Sequence, residues 1–136
     1  MELYNKNYCT LEYAEAILPR LKRMVRKIVT VNKTLEYMSS VEISYDDLYS
    51  EMRNNLKFNK KFFKLSFELY RLLDYLLDRG IIVNDIESGL VDIYSLHQNR
   101  EIFLCWTLGE DSIRFWHESN TGYKDRKPIS LLRYHV

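Results

Sequence analysis

The first 79 residues contain no glycine and a single proline, Pro19, while all four glycines (Gly80, Gly89, Gly109 and Gly122) fall in the last 57. Glycine and proline cost a helix interior roughly 1 and 3 kcal/mol relative to alanine, so a long stretch without them favours helix and their return marks turns. The chain therefore divides at Gly80 into a helical part and a part made of shorter elements.

Within the first part, Leu11, Ala14, Leu18, Leu21, Val25, Ile28, Asn32 and Leu35 alternate steps of three and four, the spacing of a seam along one helix face. The spacing predicts a helix over 11–38. Thr10 is placed to cap it, Glu12 lies in the positively polarised first turn, and Pro19 removes a hydrogen bond to the carbonyl of Glu15. Ser44 and Asp47 have capping-box spacing, which starts a second helix near Tyr45. Its seam is Phe58, Phe62, Leu65, Leu69, Leu72 and Leu76, weakened in the middle by Asn54, Asn55 and Asn59, and Gly80 supplies the left-handed residue that ends it. Two long helices joined by about six residues form an antiparallel hairpin.

After Gly80 the apolar period shortens to two, which predicts strands over 81–84, 90–95, 101–107 and 113–117, and the tail over 124–136 reads as irregular around Pro128. The expected architecture is α+β, one domain over 1–136: a long antiparallel helical hairpin (11–79) packed on a small antiparallel β-meander (80–136). A chain of 136 residues is long enough to bury roughly two thirds of its unfolded surface. No segment approaches the roughly 20 apolar residues of a membrane span. Cys9 and Cys105 are too few for a disulfide scaffold, and 1–6 lacks the apolar stretch of a signal peptide, so the cytoplasm is the expected compartment. The net charge of +1 selects no partner.

Closing the 108–112 loop symmetrically sets Thr107 opposite Ile113, Cys105 opposite Phe115 and Phe103 opposite His117, and the preceding hairpin sets Ile93 against Phe103. One face is then Val91, Ile93, Phe103, Cys105, Ile113, Phe115 and His117, expected against the helices. The other holds Leu90, Asp92, Tyr94, Ile102, Leu104, Trp106, Arg114 and Trp116, with Arg114 across from Trp106 for a cation–π contact. A slip of one residue would exchange the faces.

The run from Tyr8 to Pro19 (YCTLEYAEAILP), then Gly80–Asp85, Ser88–Asp92, Leu104-Cys105-Trp106 with Gly109-Glu110, Phe115–Glu118, Gly122-Tyr123 and Arg126-Lys127-Pro128, resembles the prokaryotic domain-of-unknown-function family 2203 in order and spacing. Asn84, Ile93 and Thr107 stand where the family pattern has a lysine, an aromatic residue and an arginine, which thins the positive charge of any anion site. The resemblance implies a bacterial or archaeal cytoplasmic protein and no particular reaction.

Chemistry has few places to sit. The chain has no GxGxxG, Walker loop, nucleophile-elbow serine or CxxC pair. Asp85, Asp92, Glu110 and His117 offer oxygen and nitrogen ligands to a divalent metal, although carboxylates in turns more often cap backbone amides. Cys105 and His117 share a face diagonally, as a thiolate–imidazole pair would, without an evident third group to orient them. Trp106 and Trp116, with Asp92, Arg114 and Arg126 as polar selectors, suit a small-ligand floor or, by composition, a subunit interface. On the hairpin, Arg20, Arg23, Lys27, Lys57, Lys61 and Lys64 form a basic flank for nucleic acid or for solvent. The leading expectation is a non-catalytic, homo-oligomeric interaction or small-ligand-binding protein with its site at Asp85, Asp92, Trp106, Glu110, Arg114, Trp116, His117 and Arg126. A metal-assisted enzyme comes second and nucleic-acid binding third. No cofactor is expected beyond such a metal.

Overall fold

The computed structural model describes residues 7–133. The segment 1–6, read above for a signal peptide, and the last three residues of the tail lie outside the described residues.

Helix α1 (Leu11–Ser40) begins where Thr10 accepts the Tyr13 amide on its hydroxyl at 3.1 Å. Helix α2 (Leu48–Asp78) starts three residues later than the capping-box spacing implied, because Asp47 itself is the cap: its carboxylate accepts the Ser50 amide at 2.7 Å and the Ser50 hydroxyl at 2.9 Å. Those bonds turn the carboxylate toward the first turn of α2, the geometry of a cap rather than of the third residue of a box with Ser44. The three asparagines do not interrupt α2, and Asn54 donates to the Tyr45 hydroxyl. Gly80 ends the helical half at φ +79°, where a side chain would also drive into the Asn7 carbonyl.

The second half is one antiparallel sheet in the order β1 (Ile81–Asp85), β2 (Leu90–His97), β3 (Arg100–Thr107), β4 (Phe115–Glu118) and β5 (Lys127–Pro128). The tail is more regular than its sequence implied: β5 pairs with β4, α3 (Ser130–Arg133) follows, and Ile129 and Leu132 rest on the core. Its composition is too short and too polar to announce a strand, which forms only because β4 presents an edge.

The register of β2 on β3 corrects the expected faces. Gln98 and Asn99 both take left-handed backbone angles, φ 52° and 62°, and close a two-residue turn between His97 and Arg100. A three-residue turn over 97–99 would have set Ile93 against Phe103; the tighter one sets it against Leu104. Because strand side chains alternate, this step moves Val91 and Ile93 to the Leu104 and Trp106 face and leaves Asp92 with Cys105. The β3–β4 register is as expected, Cys105 against Phe115 and Phe103 against His117. It stops there, so Thr107 and Ile113 do not pair. Arg114 lies outside the strands, exposed, its carbonyl accepting the Ile129 amide, and the cation over Trp116 is Lys127 at 4.9 Å.

The helix-facing layer is therefore Ile81, Val91, Ile93, Ile102, Leu104, Trp106 and Trp116, buried with Ala14, Leu18, Leu21, Val25 and Ile28 of α1. Helix α2 packs against α1 and β1, and Leu76 is its single buried residue. Phe103, Cys105, Phe115 and His117, expected against the helices, face the other way with Asp92 and Tyr94.

Candidate functional site

The outer face of the sheet holds a buried polar cluster. Neighbouring positions on β2, β3 and β4 put Asp92, Cys105 and His117 side by side, with exposures of 6%, 2% and 5% and ligand-type atoms all within 4.8 Å of one another. The Asp92 Oδ1 atom is the hub. It accepts the Cys105 thiol at 2.9 Å and lies 3.3 Å from His117 Nε2, while Oδ2 accepts the Asn84 amide from β1. On the other side of the imidazole, Nδ1 is 2.8 Å from the carbonyl of Glu118. Phe103 stacks beside His117 at 5.2 Å and Tyr94 beside Phe103 at 4.7 Å, so the cluster sits in an aromatic collar.

A carbonyl only accepts, so the Glu118 carbonyl favours the tautomer with its hydrogen on Nδ1 and leaves Nε2 toward the Asp92 carboxylate, where a hydrogen or a positive ion can bridge the two atoms. A backbone carbonyl on one ring nitrogen and a ligand on the other is the usual setting of a metal-binding histidine, and Asn84 performs the matching service for the carboxylate.

Burial first, then the hydrogen bond to Asp92 and its charge, push the Cys105 thiol above its ordinary 9.0, with Arg126 opposing and Glu110 adding to the rise. The cysteine is thus held as a thiol, and its partner is the carboxylate rather than the imidazole. The activated thiolate–imidazole pair considered from sequence is not the geometry present, since an attacking cysteine needs its thiolate favoured. A stability consequence follows. The folded thiol keeps its proton above pH 9, where the unfolded chain loses it, so the native state binds more protons there and stability falls as pH rises. Between about pH 9 and pH 10 the metal-free protein should lose up to about 1.4 kcal/mol relative to Cys105→Ala, measured by urea unfolding. Parallel pH profiles for the two proteins would contradict it.

The other residues singled out in the sequence lie apart from the cluster. Asp85 caps the β1–β2 turn, accepting the Glu87 amide at 3.2 Å and the Ser88 hydroxyl at 2.7 Å. Glu110 closes the turn after β3 on the Thr107 amide at 2.8 Å. Trp106 and Trp116 are in the core, their indole nitrogens donating to the carbonyls of Glu110 and Pro128. Arg126 is nearer, its guanidinium 4.4 Å from the centre of the Phe115 ring and 3.7 Å from that of Tyr123. The basic residues Arg20, Arg23, Lys27, Lys57, Lys61 and Lys64 are exposed, and Lys27 is paired with Glu68 at 2.5 Å. Asn84 was missed as a site residue; its alternation with Asp92 across β1 and β2 is the signal that could have found it.

The family model described as "Uncharacterized conserved protein (DUF2203)" matches residues 7–129. The chain belongs to that family. The match runs from the segment beside Gly80 to the residue after β5, so every member of the DUF2203 cluster, Asn84 included, lies inside it. No curated protein and no solved structure matches the chain. No helix among the described residues of this DUF2203 protein is long and apolar enough to cross a membrane.

Proposed function

We propose that the protein is a binding protein whose β-rich half holds a single borderline divalent ion, with zinc as the reference case, on Asp92, Cys105 and His117. The observation that carries this reading is the Asp92 carboxylate facing both a thiol and an imidazole nitrogen whose other side is already committed. A mixed oxygen, sulfur and nitrogen set suits zinc or cobalt and disfavours magnesium and calcium. At bond lengths of about 2.0 to 2.3 Å, tetrahedral ligands stand about 3.4 Å apart for nitrogen and oxygen and about 3.6 Å for sulfur and oxygen. The first separation agrees with the 3.3 Å between His117 and Asp92; the second asks the Cys105 sulfur, now at 2.9 Å, to swing outward. Side-chain burial supports holding an ion over catalysis, since a substrate must reach the metal.

The test is cobalt titration of chelator-treated protein. Uptake of a single ion per chain, with a thiolate charge-transfer band absent from Cys105→Ser, and a thermal midpoint that rises with zinc, is the expected result. Cys105→Ser binding cobalt as tightly as the parent, or no uptake at about 100 μM metal, a level that would detect even weak sites, would overturn the reading.

A further inference from the structure

Helix α2 carries a second apolar seam on the side away from α1. Tyr49, Leu56, Phe63, Tyr70 and Leu77 recur every seven residues, and each is between 51% and 73% exposed. Met52, Asn59, Ser66 and Leu73 fall three residues after the first four, so the two sets alternate steps of three and four as the a and d positions of a heptad. At about 100° per residue the seam centres roughly 120° around the helix from the one that faces α1, and none of its nine positions is charged. Packing against α1 explains the inner seam. Apart from Leu73, which also packs against the core, it leaves the outer one, which has the period that keeps a helix in register with another helix over many turns.

We propose that the occupant is the same seam of a second copy, with the two α2 helices antiparallel about a twofold axis beside Phe63 and Ser66. Self-complementarity argues for this. With a positions facing d positions, Leu77 meets the partner's Met52, Leu56 the partner's Leu73, and the bulky Phe63 the small side chain of the partner's Ser66. Tyr70 comes against the partner's Asn59, hydroxyl to amide, so the polar residue inside the seam is answered and sets the register. On the flank Arg53 faces the partner's Asp74, twice by symmetry, and Lys60 faces the partner's Phe67. Shifting the antiparallel register one heptad would set Lys60 against the partner's Lys60; shifting it the other way would pair Lys60 with the partner's Asp74 but leave Arg53 without an acid and shorten the shared seam to 59–77; parallel pairing would bring no acid beside Arg53 or Lys60. The seam is about 42 Å long and about 10 Å wide, a strip on the order of 400 Å² per copy before side-chain relief is counted, near the roughly 1,000 Å² total at which specific interfaces begin.

Sedimentation velocity on the full chain, from about 1 to 100 μM and with or without metal, reads this interface separately from the metal site, spanning the range of a weak dimer. A monomer–dimer equilibrium is expected. Phe63→Glu should leave helix content unchanged and the protein monomeric throughout, Arg53→Asp should weaken association about tenfold or more, and Arg53→Asp with Asp74→Arg should restore it to within about threefold. A parent protein that stays monomeric, or a dimer indifferent to Phe63→Glu, would overturn the proposal. Failure of the double reversal to restore association would overturn the antiparallel register, and a monomer that pellets with anionic vesicles only when Phe63 is present would give the face to lipid instead.

Discussion

Trp106→Ala should destabilise the protein by about 3 to 5 kcal/mol, the range for truncating a fully buried large aromatic side chain. Trp106 is 0% exposed and packs among the buried residues of β2, β3 and α1. Its indole nitrogen donates at 2.9 Å to the carbonyl of Glu110, the residue whose carboxylate holds the turn after β3. Truncation would therefore leave a cavity between helix and sheet and take away the donor that answers that carbonyl. Cys105→Ala is the informative comparison, because Cys105 is equally buried but faces outward and loses only one sulfur atom. At about 3 to 5 °C per kcal/mol for a domain of this size, the tryptophan variant should melt more than about 10 °C below the parent and well below the cysteine variant. Equal midpoints for the two would mean that the indole is not the keystone of this layer.

The two helices were legible in the sequence because their evidence is redundant: composition, a seam repeated over many turns, and a stop at Gly80 all agree. The faces of the sheet were not, because they hang on one turn. Gln98 and Asn99 lack the glycine that usually announces a two-residue hairpin, and reading His97 into the turn shifts the pairing by one. The cost of that single residue is large, since period-two alternation carries Asp92 from one face to the other. The tail was illegible for a different reason, as β5 exists only by pairing with β4.

The candidate site suffered from the same shift. Cys105 and His117 could be placed together from the β3–β4 loop alone, and Asp92 could be singled out as a carboxylate within a strand. What the sequence could not join was the thiol to the acid: Asp92 and His117 stood together among the metal candidates without Cys105, and the face assignment set Asp92 with Trp106 and Trp116. Asp85 and Glu110 illustrate the opposite ambiguity. Their placement beside Gly89 and Gly109 fits turn caps and ligands alike, and hydrogen bonds within their own turns account for both.

Asp92→Asn should lower affinity for zinc or cobalt by at least about a hundredfold, the upper range seen when the shell of a metal site is disturbed. The substitution keeps the shape and removes the charge, which separates electrostatics from packing. With its amino group turned to Nε2 and its oxygen kept on the Asn84 amide, the new side chain can still be hydrogen-bonded, so a loss of metal affinity would report on the charge rather than on the fold. In the parent, the ion must displace the thiol hydrogen that burial holds on Cys105, so affinity should fall with falling pH by about tenfold per unit for that proton. Competition titrations against a chelator of known affinity at several pH values measure that slope. A pH-independent affinity, or Asp92→Asn binding as tightly as the parent, would show that the carboxylate is an internal fastener of the sheet and that the ion sits elsewhere.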